Sequence, residues 1–129
     1  MRYSAYGNTH VGKVRDHNED SFFVSDEGGF FIVADGMGGL AAGEVASQIA
    51  KDTISKALKK HDNSSTPYDR ILRDAIESAN ARVREALAEN PSARGMGSTC
   101  VVLAFKDSDF YIAYVGDSRI YLFRNNHLK

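Results

Sequence analysis

The segment 30-FFIVADGMGGLAAGE-44 contains a strand, a turn and the start of a helix. Its first part, 30-FFIVA-34, is a short apolar run of the kind found in buried strands. Asp35 ends that run, and three glycines follow within the next four residues, which is the composition of a tight turn. Beyond the turn, apolar residues recur at helical spacing from Ala42 to about Lys60. The segment therefore places one carboxylate, Asp35, at the end of a buried strand.

The rest of the chain predicts an α+β fold with an antiparallel sheet. A second helix is expected to begin with Thr66 as N-cap, Pro67 at the first helical position and Asp69 closing a capping box. The turn 26-DEGG-29 predicts a hairpin, and 90-NP-91 ends the second helix. Strands before and after the two helices favour α+β over alternating βαβ units. The strands are expected at residues 3–8, 21–24, 30–34, 98–105, 110–115 and 119–123.

Composition limits the kind of protein. The 129 residues suffice for a single domain, with 43% hydrophobic and 26% charged residues. A net charge of -1 gives no electrostatic reason to expect nucleic acid or a membrane surface as partner. The N-terminus has no apolar segment of the signal-peptide kind. The one cysteine, Cys100, lies in a β-branched run, which predicts a buried thiol and a cytoplasmic protein.

The C-terminal segment 124-RNNHLK-129 predicts one more hairpin. Asn125 and Asn126 have the turn composition, but the second strand has barely begun at Lys129. An open strand edge is a place where chains pair. The sequence therefore predicts a sheet that is incomplete at its C-terminus, with edge pairing to another chain as one consequence.

The glycine turn has two interpretations. Gly36, Gly38 and Ala41 fit the dinucleotide fingerprint G-x-G-x-x-A. However, no βαβ unit surrounds the turn, and no acid-bearing second strand follows about 20 residues later. Asp35 would also repel a pyrophosphate. The alternative is a metal site, in which glycines allow backbone carbonyls to approach the ion that Asp35 binds.

Partners for Asp35 are found in 15-RDHNED-20. Glu19 and Asp20 open the strand that is predicted to pair with the Asp35 strand. Two like charges 4 Å apart cost about 4 kcal/mol at an effective dielectric of 20. A hard divalent cation such as Mn²⁺ or Mg²⁺ would turn that repulsion into ligation. Arg15 is suited to clamp a phosphate in two hydrogen bonds. The alternative for this stretch alone is a solvated acidic loop.

A fourth acid, Asp117, lies in 115-VGDSR-119 between two predicted strands. By itself this stretch fits a simple turn. Together, however, 15-RDHNED-20, 33-VADGMGG-39, 95-GMGSTC-100 and 115-VGDSR-119 resemble, in order and spacing, the PP2C (PPM) family of metal-dependent serine/threonine protein phosphatases, in its bacterial form. The resemblance implies two stacked antiparallel sheets flanked by helices in α-β-β-α layers, with a binuclear Mn²⁺/Mg²⁺ centre at one end.

The resemblance also implies the residue roles and the reaction. The reaction would be hydrolysis of phosphoserine and phosphothreonine in proteins by metal-activated water, opposing a serine/threonine kinase system. Ser98 and Thr99 would be structural. The implied roles are metal bridging for Asp35, carbonyl ligation for Gly36, binding of one metal for Glu19, holding a water for Asp20, clamping phosphate for Arg15 and a third, weaker metal for Asp117.

Two departures from the family pattern limit that expectation. Met37 stands where some relatives have a histidine that is proposed as the general acid. The family's later SDG and DN metal motifs are not present in residues 1–129, so the resemblance covers the N-terminal portion of a catalytic domain. We therefore expect weak turnover from this chain alone. The alternative is a non-catalytic, pseudo-phosphatase-like module that binds a phosphoprotein or pairs with another chain.

Overall fold

The computed structural model describes residues 2–25, 27–39, 42–61 and 64–129. Its main sheet has the strand order β1–β2–β4–β5, all pairs antiparallel, and the short β3 also pairs with β2. A separate hairpin is formed by β6 and β7. In chain order the elements are β1 (Asp20–Val24), β2 (Phe30–Met37), α1 (Ala42–Lys60), α2 (Tyr68–Glu89), a 3₁₀ turn (Pro91–Ala93), β3 (Gly97–Ser98), β4 (Cys100–Lys106), β5 (Asp109–Val115), β6 (Phe123–Arg124) and β7 (His127–Leu128).

The two helices cover one face of the sheet. Phe30, Ile32 and Ala34 on β2 are buried against them, as is Val102 on β4. The intervening residues face the other way, and Val33 is 51% exposed. Composition predicted a strand buried throughout, but the residues alternate because a pleated strand presents successive side chains to opposite faces. The predicted α+β class with an antiparallel sheet is confirmed, and the described residues form one helical layer on one sheet.

The predicted strand at residues 3–8 is wrong. This segment has no ladder partner and instead runs across the open face of the sheet. Tyr3 stacks on Phe105 with ring centroids 5.7 Å apart and meets Phe31 edge-on at 5.5 Å. Tyr3 therefore contacts the face of the sheet without belonging to a strand, whereas Tyr6 is 89% exposed.

The start of α2 also differs from the expectation. Pro67, rather than Thr66, occupies the N-cap position, and no side chain caps the helix. The Thr66 amide is bound by Ser64 Oγ at 3.1 Å, which belongs to the preceding turn. The predicted capping box is therefore absent, although Asp69 lies in the first helical turn, where a negative charge is favourable.

The end of the chain confirms a hairpin but shortens its first strand. Asn125 and Asn126 have φ of 53° and 59°, the left-handed conformation of a two-residue hairpin turn. Strand pairing involves Phe123–Arg124 only, so the strand predicted over 119–123 is mostly unpaired chain. Leu122 and Lys129 exchange backbone hydrogen bonds of 2.9 Å next to it.

The β1–β2 hairpin is confirmed by the Val24–Phe31 pairing, while Asp26 of its predicted turn lies outside the described residues, as does Ala41 of the dinucleotide fingerprint. Cys100 is buried as predicted, and burial raises the pKa of its thiol to about 12. Neither helix of the described ranges has the length and apolarity needed to cross a bilayer.

Candidate metal centre

Two predicted site residues face each other at one end of the sheet. Asp20, the first residue of β1, is paired with Asp35 of β2, so both side chains project from the same face. Partial burial raises the pKa of Asp20 above its ordinary value of 3.8, and the charge of Asp35, a side-chain hydrogen bond to Asp35 and the charge of Glu19 act in the same direction. The charge of Arg15 opposes them, by lowering the pKa. This end of the sheet therefore carries negative charge in excess.

The loop before β1 fixes the position of Asp20. Asn18 Oδ1 accepts the Asp20 backbone N–H at 3.0 Å, which is a local turn of the kind that asparagine forms. The Asn18 side-chain amide also donates to Thr9 Oγ1 at 2.7 Å. The Asn18 side chain therefore fixes the backbone at the start of β1, where Asp20 pairs with β2.

Glu19 and Gly36 lie next to each other on the β1–β2 edge. The Gly36 amide donates to the Glu19 carbonyl at 3.1 Å. In an antiparallel pair the amide and carbonyl of one residue point to the same neighbour, so the Gly36 carbonyl is also directed toward the Glu19 side. This geometry suits the predicted use of the Gly36 carbonyl and the Glu19 carboxylate on one ion.

The Glu19 carboxylate packs on the first turn of α1. A Cβ atom built on Gly43 would lie 2.7 Å from Glu19 Cδ and 2.8 Å from Oε2, so only glycine leaves room for the carboxylate there. The amino end of a helix favours a negative charge. The helix that follows the glycine turn therefore holds Glu19 in place at the same end of the sheet as Asp35.

The turn that contains Asp117 is connected to this end of the sheet through Ser118. Thr99 Oγ1 accepts the Asp35 amide at 3.0 Å and shares a 2.5 Å hydrogen bond with Ser118 Oγ. The Thr99 amide also donates to the Asp35 carbonyl at 2.9 Å. The sequence resemblance assigned Thr99 a structural role only. Its contact with Asp35 was missed because it depends on the β2–β3 register, for which the sequence alone carries no signal.

The donor atoms at this end of the sheet fit a hard divalent cation. The nearby candidates are carboxylate and carbonyl oxygens, the ligands that Mn²⁺ and Mg²⁺ take, and a cation would offset the repulsion that raises the pKa of Asp20. Within the described ranges, however, no three acidic, histidine or cysteine side chains converge closely enough to hold an ion by themselves. The donor types therefore suit a hard divalent cation, but these side chains do not form a complete ligand set among the described residues.

Replacing Asp20 by Asn should stabilise the metal-free chain. The change removes a like charge directly opposite Asp35, an effect of about 0.2–1 kcal/mol in the free energy of unfolding. In the wild type, the repulsion is absent below the ordinary pKa of 3.8, where Asp20 is protonated in both the folded and the unfolded chain. The wild type therefore loses stability as pH rises through the raised pKa of Asp20. Thermal denaturation in chelator from pH 3 to pH 7 measures both effects. Asp16→Asn, in the same exposed loop, is the control, and equal melting temperatures for the two variants would contradict the repulsion.

Comparison with known proteins gives a consistent result. The chain is 39% identical over 126 residues to the serine/threonine phosphatase stp of Listeria welshimeri, which covers 94% of this chain and 50% of that protein. The solved structure of Mycobacterium tuberculosis PstP/Ppp matches with a TM-score of 0.82 at 33% identity, over 95% of this chain and 50% of that one. A PstP catalytic domain in complex with two manganese ions matches with a TM-score of 0.79 at 34% identity, over 94% of this chain and 51% of that one.

The chain thus spans about half the length of each of these proteins. Its residues 7–128 match the family described as Protein phosphatase 2C. That match includes every candidate site residue, from Arg15 to Asp117. The chain belongs to the protein phosphatase 2C family.

Proposed function

We propose that the protein containing this chain is a Mn²⁺- or Mg²⁺-dependent phosphatase that acts on phosphoserine and phosphothreonine in proteins. The observation that carries the proposal is the pairing of Asp20 with Asp35 beside Glu19, where the pKa of Asp20 is raised. The relatives named as serine/threonine phosphatases support the substrate class. The structure of PstP with two manganese ions supports the metal. Cytoplasmic phosphoproteins made by a serine/threonine kinase are the proposed substrates.

The candidate site residues have different proposed roles. Asp35, Glu19 and the Gly36 carbonyl would hold the metal, and Asp117 would contribute from the turn after β5. Two bound divalent cations would supply an acidified water for attack on phosphorus and would neutralise charge on the phosphoryl oxygens. Asp20 would accept a hydrogen bond from that water and so orient it. No protein nucleophile is required, which agrees with the burial of Cys100 and the raised pKa of its thiol.

Arg15 is proposed to bind the substrate phosphate. It is exposed, and it is near enough to Asp20 to lower the pKa of that carboxyl. Hydrogen bonds to charged groups contribute about 1.5–3 kcal/mol, so Arg15→Met should lower kcat/KM for a phosphopeptide roughly 10- to 100-fold. Arg15→Lys should recover only part of the loss, because lysine lacks the two-pronged geometry.

Steady-state kinetics on a phosphothreonine peptide measures the role of Arg15. Arg73→Met, at an exposed position of α2, is the matched control and should leave kcat/KM unchanged. Equal kinetics for Arg15→Met and Arg73→Met would remove Arg15 from the phosphate site.

The proposed activity is tested with the full-length gene product that carries this chain. Phosphate release from a phosphothreonine peptide is expected in Mn²⁺ and should disappear when a chelator is added and return with excess Mn²⁺. Release that continues at the same rate in chelator would contradict a metal-dependent phosphatase.

A non-catalytic binding module remains the second candidate. Two observations favour it: the described residues lack a three-ligand cluster, and the sheet face opposite the helices carries exposed Phe110, Ile112 and Tyr114. Exposed apolar patches of this kind are typical of interaction surfaces. A full-length gene product that binds the phosphothreonine peptide and releases no phosphate at any Mn²⁺ concentration would establish this function instead.

A further inference from the structure

Thr99 lies between two chain segments that carry proposed metal ligands. Its neighbour on one side is Asp35 at the end of β2, and on the other side is the turn after β5 that contains Asp117. The strand that began at β3 is interrupted at Thr99 before β4 starts at Cys100. The interruption places a hydroxyl group, rather than another apolar side chain, between the two segments.

The contacts of Thr99 with Asp35 are made by both its backbone and its side chain. The Thr99 amide donates to the Asp35 carbonyl at 2.9 Å, and Thr99 Oγ1 accepts the Asp35 amide at 3.0 Å. Ser98 Oγ adds a longer hydrogen bond of 3.3 Å to the Asp35 carbonyl. Both backbone polar groups of Asp35 are therefore bound by this short segment, which fixes the direction from which the Asp35 side chain leaves the strand.

The second side of Thr99 contacts the turn after β5. With Oγ1 accepting the Asp35 amide, its own hydrogen is free to be donated to Ser118 Oγ, 2.5 Å away. The Thr99 methyl group packs on the same turn, because a Cβ built on Gly116 would lie 2.8 Å from Thr99 Cγ2. Gly116 has φ of 94°, so this close approach and the backbone conformation both require glycine.

We propose that Thr99 is a positioning residue whose hydroxyl holds Asp35 and the Asp117 turn in a fixed relation. The proposal rests on the proposed function, because its consequence is the placing of metal ligands from β2 and from the turn after β5. The hydroxyl makes hydrogen bonds to both segments, so removing it would loosen both. Groups that orient metal ligands in this way typically change metal affinity 10- to 100-fold when they are removed.

Thr99→Val and Thr99→Ser separate the hydroxyl from the packing. Valine keeps the branched shape and the methyl contact with Gly116 but removes the hydroxyl, whereas serine keeps the hydroxyl. In the metal-free chain, hydrogen exchange by NMR should show the Asp35 amide exchanging about tenfold faster in Thr99→Val, since it loses a hydrogen bond of ordinary strength. Thr99→Ser should remain close to the wild type.

Ser118→Ala tests the second link alone. It should speed amide exchange in the turn at residues 116–118 and leave the Asp35 amide protected. Combining Ser118→Ala with Thr99→Val should add nothing at the turn, because the valine variant has already lost that hydrogen bond. Equal and uniform acceleration at all sites in every variant would indicate general destabilisation and overturn the proposal.

Mn²⁺ titration by calorimetry connects the contact to the metal. In the full-length gene product, Thr99→Val should weaken Mn²⁺ binding at least about tenfold, while Thr99→Ser retains the wild-type affinity. Unchanged Asp35 exchange and unchanged Mn²⁺ affinity in Thr99→Val would overturn the positioning role and leave the proposed function intact. A wild type that binds no Mn²⁺ would overturn the proposed function, and the exchange measurement would still decide the role of Thr99.

Discussion

Replacing Asp35 by Asn is expected to abolish Mn²⁺-dependent phosphate release by the full-length gene product. Asp35 lies near the end of β2, faces Asp20 across the hairpin and has its backbone bound by Thr99. The amide of asparagine carries no charge, so the strand would no longer offer a carboxylate to the metal. Because bound ions contribute several kcal/mol of transition-state stabilisation, the loss in kcat should reach about a thousandfold.

Asp107→Asn is the control that removes one negative charge away from the candidate site, so it separates the loss of a metal ligand in Asp35→Asn from a general effect of charge. Asp107 is exposed in the turn between β4 and β5, at the end of the sheet opposite Thr99. Its φ of 55° is a conformation that asparagine accepts readily, so Asp107→Asn should keep the fold and the activity. Phosphate release from a phosphothreonine peptide is measured for both variants in Mn²⁺. Equal activity of the two variants would contradict the central role of Asp35.

Gly36→Ala is expected to give the largest loss of stability. A Cβ atom at this position would overlap the carbonyl oxygen of Gly43 and would lie 2.7 Å from the Glu19 carbonyl oxygen. Both contacts are with backbone atoms, which have no alternative rotamer to adopt. Overpacking of this kind costs about 3 kcal/mol or more, and the melting temperature should fall on the order of 10 °C.

Gly39→Ala is the matched control for Gly36→Ala. Gly39 follows in the same glycine turn, and no atom of the described residues lies within 4 Å of a Cβ built there. Its variant should change the free energy of unfolding by no more than about 0.5 kcal/mol. Thermal denaturation by circular dichroism in chelator measures both variants. Similar melting temperatures would show that α1 does not pack on the end of β2 as described.

The strand–turn–helix segment was predictable because local signals agree there. An apolar run, a carboxylate, a glycine turn and a helical repeat occur in sequence. The helix α1 is found where it was expected, and β2 begins where it was expected but continues past Ala34 to Met37, because Gly36 and Met37 pair with β3. The β1–β2 hairpin then places Asp20 opposite Asp35 by register. That pairing is the part of the candidate site that sequence reasoning predicted most directly.

The wrong predictions share a physical cause. Residues 3–8 were predicted as a strand, but Tyr3 packs on the open sheet face, and the backbone of this segment pairs with no strand among the described residues. Of the last expected strand, residues 119–123, only Phe123 lies in a paired strand, because pairing depends on which segment lies alongside. Periodicity reports that one face of a segment is apolar, but it does not identify the surface that this face contacts.

The role of Thr99 shows the same limit at the site. Its residue type is unremarkable before a buried run, and only the three-dimensional register brings its hydroxyl between Asp35 and Ser118. The packing of the Glu19 carboxylate on Gly43 is likewise a contact between segments that are distant in sequence. Motif spacing predicts which residues would carry the chemistry, whereas the contacts that hold them depend on tertiary packing.

Asp35, Glu19 and the Gly36 carbonyl are proposed to bind a divalent cation. Crystals of the full-length gene product grown with Mn²⁺ and measured at the manganese absorption edge locate the ions by anomalous scattering. An anomalous peak is expected in contact with an Asp35 carboxylate oxygen and the Gly36 carbonyl oxygen, and it should be absent from crystals of Asp35→Asn. An anomalous peak elsewhere, or the same peak in the Asp35→Asn crystals, would contradict the proposed binding.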